Sequence, residues 1–221
     1  MSVFQIISLV LLSLVICVHL VFCFLDNEIG RKITKPLCIP LLILLTVSFD
    51  IDGRDVAWQV YVALVFALLG DIFLIGREKS WALITGTGFF SLCQIFYIWT
   101  IFEKISYNIT PWWAYLITVL MACIVFVLVF VISHKSLKYL AYGAALYFAL
   151  LAELLSAFVL LSVRSNPLLA VGGICGAVLH IISDIFLVYT IFINENVKRR
   201  HLYIMGTYLG AQILIVLSLI F

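Results

Sequence analysis

Two aspartates, Asp71 and Asp184, stand out as candidate reactive groups because each lies inside a long apolar segment. A charged side chain at the centre of a membrane helix costs about 2.5–3.5 kcal/mol on insertion scales, so such residues usually have a function. Two carboxyl groups in a shared, water-poor chamber would hold one proton between them and could act as general acid and general base. The structural alternative is that both aspartates only bond to neighbouring helices and fix their packing.

A stripe of residues leads along the chain to the second aspartate. Gly172, Gly176, His180 and Asp184 are spaced four residues apart and would share one helix face. The glycines would let a neighbouring helix approach closely, and His180 could hold or pass on a proton. A core histidine that is merely hydrogen-bonded fits the spacing equally well.

Five other side chains are candidate substrate-binding groups. Gln94 and Gln212 could orient a water molecule or a substrate oxygen, or could simply join helices. Tyr97 and Tyr147 could line the same chamber, although aromatic packing also explains them. Lys35 could bind a lipid phosphate or extend its ammonium group to the membrane interface.

The composition indicates that lipid surrounds the chain. Hydrophobic residues make up 66% of the 221 positions and charged residues 11%, which is too little polar surface for a water-soluble domain of this size. Long apolar runs without two-residue alternation favour helices over a barrel. We therefore predict an all-α polytopic membrane helical bundle that forms a single transmembrane domain over residues 1–221. A net charge of +2 gives no support to nucleic-acid binding.

The six cysteines all fall in apolar segments and lack the spacing of metal ligands. We predict that they are small buried hydrophobic residues and that the protein needs neither a metal nor another cofactor.

Charges and turn residues divide the chain into about eight stretches that could cross a bilayer. The first lacks the basic leading region and the cleavage site of a signal peptide, so we expect it to be retained. The second is short and contains Pro40, so a re-entrant segment is the alternative there. The predicted spans are residues 3–25, 36–49, 57–76, 81–102, 112–133, 139–161, 167–192 and 202–220.

The basic residues orient these spans. With eight spans, ten basic residues fall in odd-numbered loops and three in even-numbered loops; without the second crossing the bias disappears. Both termini are therefore predicted outside, both aspartates about 7–12 Å from the cytoplasmic ends of their helices, and Glu153 nearer the outer face. The ten are Arg31, Lys32, Lys35, Arg77, Lys79, Lys135, Lys138, Lys198, Arg199 and Arg200; the three are Arg54, Lys104 and Arg164.

A weak internal repeat relates the two halves of the chain. Gly-Asp-Ile-Phe-Leu at residues 70–74 is echoed by Ser-Asp-Ile-Phe-Leu at 183–187, and a glycine precedes both Gln94 and Gln212 by six residues. The pattern predicts two parallel four-helix repeats. Chance similarity between helices rich in Leu, Ile and Phe is the alternative.

Several short motifs occur in the order typical of one membrane-protein family. They are Lys-Pro-Leu at 35–37 with Pro-Leu at 40–41, Gly-Asp at 70–71 with Phe-Leu at 73–74, Gly-Ala at 176–177, Ser-Asp at 183–184 and Ala-Gln at 211–212. With them the chain resembles the YhhN family, which includes the animal lysoplasmalogenases. It departs from the family at Gln94, where a histidine is expected, and at His180, where an aromatic residue is expected. A neutral amide at 94 cannot replace a histidine in proton transfer.

The resemblance implies eight spans and hydrolysis of the vinyl ether bond of lysoplasmalogens, giving a fatty aldehyde and a glycerophospho-alcohol. Asp71 and Asp184 would be the catalytic pair and a lysophospholipid the substrate, with no cofactor. One acid would protonate the substrate, while the other would stabilise an oxocarbenium-like cation and activate water, as in glycosidases. The membrane would be the inner (cytoplasmic) membrane in a bacterium and the endoplasmic reticulum in a eukaryote.

Other functions also fit paired membrane acids. A proton-coupled transporter or lipid translocator is the main alternative, because paired acids and repeated halves occur there too. An intramembrane aspartyl protease is disfavoured, since its G-x-G-D motif would need glycine at Leu68 and its Y-D motif tyrosine at Ser183. A purely structural membrane protein is the remaining alternative.

Overall fold

The computed structural model describes residues 2–76, 79–105, 110–137, 140–164, 167–194 and 196–221. Within these ranges the chain forms eight long α-helices and no strand, and each helix is long and apolar enough to cross a membrane. The predicted all-α polytopic membrane bundle is confirmed. The helices are α1 Val3–Phe24, α2 Glu28–Ile51, α3 Trp58–Phe73, α4 Ser80–Lys104, α5 Trp112–Leu137, α6 Leu140–Arg164, α7 Pro167–Phe192 and α8 Arg200–Ile220; a short 3-10 helix, Leu74–Gly76, follows α3.

Helix α2 begins eight residues before the predicted start of the second span. The side chain of Asn27 caps it by accepting a hydrogen bond of 2.8 Å from the backbone N–H of Gly30. The helix then continues through Pro36 and Pro40 for 24 residues, which is long enough for a full crossing. The predicted boundary at residue 36 was therefore wrong, whereas the crossing itself is supported.

The earlier start of α2 changes the location of three basic residues that were used to orient the spans in the membrane. Arg31, Lys32 and Lys35 were predicted in a loop, but they lie in the first two turns of α2. They still lie at the end of the helix that the charge distribution predicts to be cytoplasmic. Arg77 and Lys138 lie outside the described residues.

Contacts between helices divide the chain into two compact units. Unit 1 consists of Met1–Val56 and Cys175–Phe221, and unit 2 of Ala57–Ile174. In unit 1, α1 packs on α2, and α8 contacts both. In unit 2, α4 contacts both α3 and α6, and α6 pairs with α5. The predicted repeat would divide the chain between α4 and α5 instead, so the repeat and the single domain over 1–221 both stay predictions.

The glycines of the stripe on α7 differ in what surrounds them. A Cβ atom at Gly176 would lie 3.0 Å from both the carbonyl oxygen of Ala211 and the backbone nitrogen of Ile215, so α7 and α8 are in backbone contact there. A Cβ atom at Gly172 would meet nothing within 4 Å. The predicted close approach is confirmed for Gly176 and was wrong for Gly172, because spacing along one helix does not show where the neighbouring helix comes nearest.

The cysteines divide into two groups. Three are buried between helices, and three lie on the outer surface of the helices. Burial of all six was therefore a wrong prediction, because an apolar residue in a membrane helix can face lipid as readily as protein. The buried cysteines are Cys23, Cys38 and Cys93, and the exposed ones are Cys17, Cys123 and Cys175.

Candidate functional site

The candidate site residues are almost all buried. Lys35 is half-buried, and the other seven have at most 7% of their surface exposed. They divide between the two units, so the two aspartates belong to different compact units and their pairing across one chamber stays a prediction. Unit 1 contains Lys35, His180, Asp184 and Gln212, and unit 2 contains Asp71, Gln94, Tyr97 and Tyr147.

In unit 1, His180 and Asp184 are neighbours on α7. The Nε2 atom of His180 lies 3.6 Å from the Oδ2 atom of Asp184, one helical turn further on. Within the described part of the chain, neither ring nitrogen of His180 has a hydrogen-bond partner, although the residue is only 1% exposed. Buried imidazoles normally have hydrogen-bond partners, so their absence here leaves the ring nitrogens available. They could exchange a proton with Asp184 or bond a bound molecule.

Helix α8 holds this face of α7 in place. The hydroxyl of Ser183 donates a 3.0 Å hydrogen bond to the carbonyl oxygen of Ile204 in α8. The ring of Tyr208 meets the His180 ring edge-on, with 5.8 Å between the ring centroids. Gln212 follows Tyr208 by one turn and is fully buried. Contacts with α8 therefore fix Ser183 and His180, two neighbours of Asp184 on α7.

In unit 2, Asp71 lies near the end of α3 against α4. It is 2% exposed, two residues before the end of α3 and five residues before Gly76. A Cβ atom at the preceding Gly70 would lie 2.7 Å from the Phe90 ring of α4, so the two helices are closely packed here. At about 1.5 Å per residue, Asp71 is about 8 Å from the end of its span and Asp184 about 12 Å from the end of α7. These depths agree with the predicted ones.

Gln94 is the most incompletely satisfied polar side chain of this group. It is fully buried in α4, and neither its amide oxygen nor its amide nitrogen has a hydrogen-bond partner among the described residues. Gln94 follows Phe90, whose ring packs against Gly70 of α3, by one turn of α4. An orphaned buried amide costs about 1–3 kcal/mol, so a water molecule or a ligand group is expected beside it.

Glu153, the third acid in an apolar segment, has a partner that the sequence did not indicate. The hydroxyl of Thr118 on α5 lies 2.8 Å from its Oε1 atom, while its Oε2 atom is buried without a partner among the described residues. Glu153 is 8% exposed. This hydrogen bond joins α5 to α6 and satisfies one of the two carboxyl oxygens of Glu153.

Another polar cluster missed at the sequence level lies in unit 1. The hydroxyl of Thr34 donates to the carbonyl oxygen of Gly30 at 2.7 Å and therefore accepts from the Nδ1 atom of His19, also at 2.7 Å. Both residues are buried. Fifteen residues separate the pair, so no spacing within one helix could have predicted it.

These features define an integral, multi-pass helical membrane protein with buried acids near one end of two of its helices. The model of the YhhN family matches residues 30–219, which covers most of the chain and both aspartates, so the protein belongs to the YhhN family. Comparison with curated proteins and with solved structures gave no match.

Proposed function

We propose that the protein is a membrane-embedded hydrolase that cleaves the vinyl ether bond of lysoplasmalogens by aspartate acid/base catalysis. The observation that carries the proposal is that Asp71 and Asp184, the two acids of the family motifs, are both buried inside helices of a YhhN-family chain. Burial away from bulk water keeps a reactive cation from side reactions and strengthens the electrostatic effect of a carboxylate.

The reaction needs one protonated and one ionised carboxyl group. The protonated aspartate transfers its proton to the vinyl carbon remote from the ether oxygen, which leaves an oxocarbenium-like cation. The ionised aspartate stabilises this cation and takes a proton from the water molecule that adds to it, giving a hemiacetal. In the last step the hemiacetal hydroxyl gives its proton to the first aspartate, and the bond between the former vinyl carbon and the glycerol oxygen breaks. The glycerol oxygen takes the proton held by the second aspartate, so a fatty aldehyde and a glycerophospho-alcohol leave and both aspartates regain their starting states.

The remaining candidate residues support these steps in the proposal. His180 exchanges a proton with Asp184, from which it is 3.6 Å away. The orphaned amide of Gln94 holds the attacking water, and Gln212 bonds a substrate oxygen. Tyr97 and Tyr147 line the passage for the alkenyl chain of the lipid, and Lys35 contacts the head-group phosphate.

The substrate is proposed to enter from the cytoplasmic leaflet, with its head group beside the basic helix ends and its chain between helices. In a bacterium the membrane would be the inner one, and in a eukaryote it would be the endoplasmic reticulum.

The test is an aldehyde-release assay on the purified protein in detergent or lipid discs. We expect aldehyde from a lysoplasmalogen and none from its ester-linked counterpart. Asp71→Asn and Asp184→Asn should each lower the rate by about 10²–10⁴-fold, the range of one general acid or base. Glu153→Gln is the matched control, because it makes the same carboxyl-to-amide change at a buried acid outside the proposed pair.

Absence of aldehyde from the wild-type protein would contradict the hydrolase. Uptake of the unchanged lipid into vesicles, driven by a pH gradient and lost in both aspartate variants, would instead support the translocator.

A further inference from the structure

Two arginines from distant parts of the chain meet at the turn between α1 and α2. The guanidinium carbon of Arg199 lies 3.9 Å from the centroid of the Phe24 ring, at the end of α1. The Nη1 atom of Arg31, in the first turn of α2, lies 3.6 Å from the Oδ1 atom of Asp26. Since Phe24 and Asp26 are separated by one residue, both guanidinium groups lie beside the same turn of unit 1.

Arg31 is poorly satisfied in this position. Its side chain is 16% exposed, and its Nη1 atom is buried without a hydrogen-bond partner among the described residues. The 3.6 Å separation from Asp26 is too long for a hydrogen bond, and the Asp26 side chain is 58% exposed. The guanidinium group therefore retains donors directed at this turn that an oxyanion could use.

Lys35 extends the same face of α2. It follows Arg31 by one helical turn, so the two side chains share one face of α2. Lys32 differs: its side chain is 53% exposed and forms a 2.6 Å ion pair with Glu28. Lys32 is therefore the natural matched control.

The local charge also favours an anion. Residues 26–35 and 195–201 together contain six Lys or Arg and three Asp or Glu, an excess of three positive charges, whereas the whole chain has a net charge of +2. The excess of positive charge in these two segments is thus larger than the net charge of the whole chain.

We propose that Arg31, Lys35 and Arg199 form a binding site for the phosphate group of a single-chain phospholipid. Guanidinium groups bind phosphate oxygens through paired, charge-assisted hydrogen bonds, and the ammonium group adds a point charge. The Asp26 carboxylate is an internal competitor that a phosphate displaces from Arg31. The inference deepens the proposed function and rests on it, because it names the phosphodiester as the group by which the hydrolase recognises its substrate.

The backbone at this turn suggests suitable variants. Asp26 and Arg199 both have a left-handed conformation, with φ of 51° and 59°. Asparagine adopts this conformation more readily than most residues, so Asp26→Asn and Arg199→Asn should preserve the turn while removing one charge each. Arg31→Gln removes the third charge, and Lys32→Gln removes a charge from the same helix outside the site.

The experiment measures equilibrium binding of two probes to the full-length protein in an uncharged detergent. The probes are a 1-O-alkyl lysophosphatidylethanolamine and the corresponding 1-O-alkyl glycerol, which lacks the phosphate. We expect the phosphate-bearing probe to bind about tenfold more tightly to the wild type. Arg31→Gln and Arg199→Asn should each weaken it by about tenfold without affecting the alkyl glycerol. Asp26→Asn should tighten it about threefold, and Lys32→Gln should leave it within about twofold.

Equal binding of the two probes to the wild type would overturn the site, as would an equal loss in Lys32→Gln and the arginine variants. Asp26→Asn is expected to gain affinity for the phosphate-bearing probe, so it tests the site even if an arginine variant fails to fold. Unchanged or weaker binding of this probe by Asp26→Asn would contradict the proposal. The same side chains could bind a lipid head group or free phosphate, and competition with inorganic phosphate distinguishes these two ligands. Displacement of the lipid probe by low millimolar phosphate would assign the site to free phosphate instead.

Alkyl ethers have no vinyl bond, so binding is measured whether or not the protein hydrolyses lysoplasmalogens. Phosphate-dependent binding without aldehyde release would leave this site standing and remove the proposed reaction. Aldehyde release without phosphate-dependent binding would support the proposed reaction and contradict this site.

Discussion

The Nε2 atom of His180 lies 3.6 Å from the Oδ2 atom of Asp184, with both residues on the face of α7 that packs against α8. The sequence motifs of the family lead us to expect an aromatic residue at position 180, so this chain has a titratable group beside one of the two proposed catalytic acids. The two groups are close enough to share a proton after a small side-chain movement, because the distance exceeds that of a hydrogen bond by only a few tenths of an ångström.

We expect His180→Phe to lower kcat for aldehyde release by about 10–100-fold with little change in KM, because a proton partner of Asp184 is lost and the apolar volume is kept. Steady-state kinetics on the purified variant measures this. His134→Phe is the matched control, since His134 is exposed on α5. An unchanged kcat for His180→Phe would show that the imidazole only fills space.

Gly176→Ala should lower the free energy of unfolding by about 1–3 kcal/mol, because the new Cβ atom would lie 3.0 Å from backbone atoms of Ala211 and Ile215, which cannot yield as a side chain can. Gly172→Ala on the same helix meets nothing within 4 Å and should be neutral or stabilising by up to about 1 kcal/mol. Denaturation in detergent compares the two. Equal effects would mean that α7 and α8 are not in backbone contact at Gly176.

Glu153→Gln should change the free energy of unfolding by less than about 1 kcal/mol. The Thr118 hydroxyl has one proton but two acceptors, the Tyr115 carbonyl oxygen at 2.9 Å and Glu153 at 2.8 Å. A glutamine amide can donate to the hydroxyl while the hydroxyl donates to Tyr115, so the link between positions 118 and 153 is kept.

Thr118→Val should lower the free energy of unfolding by about 0.5–2 kcal/mol, since Glu153 then loses its partner. Denaturation of Thr118→Val, Glu153→Leu and the double variant gives the coupling energy, because leucine, unlike glutamine, cannot bond the hydroxyl. Strictly additive effects would contradict the hydrogen bond.

Gln94→Leu should raise or preserve stability while lowering the rate of aldehyde release by about tenfold. Removing a buried amide without a partner among the described residues removes a desolvation cost of about 1–3 kcal/mol, but also removes the group proposed to hold water. Thermal unfolding and kinetics on the same sample measure both effects. A variant with lower stability and normal activity would refute the assignment.

Much of the fold could be predicted from local composition. Apolar runs of about 20 residues separated by charges give eight membrane helices, and Asp71 and Asp184 are buried at the depths expected from their positions in those runs. The start of α2 was mispredicted because Pro36 was taken as a boundary. The cap at Asn27, nine residues before the predicted start, is the signal that would have placed it correctly.

The amino-acid sequence determined by itself that this chain is a helical membrane protein with acids in its interior, because helix formation and transfer into lipid depend on each segment alone. Tertiary structure decided which side chains become partners: Thr118 with Glu153, Thr34 with His19, and both Arg31 and Arg199 with the turn after α1. It also decided that Gly176 contacts α8, that a Cβ atom at Gly172 would meet nothing within 4 Å, and that three cysteines face outward. Lipid and protein are almost equally apolar surroundings, so hydropathy cannot tell the faces of a membrane helix apart; the contacts between helices do.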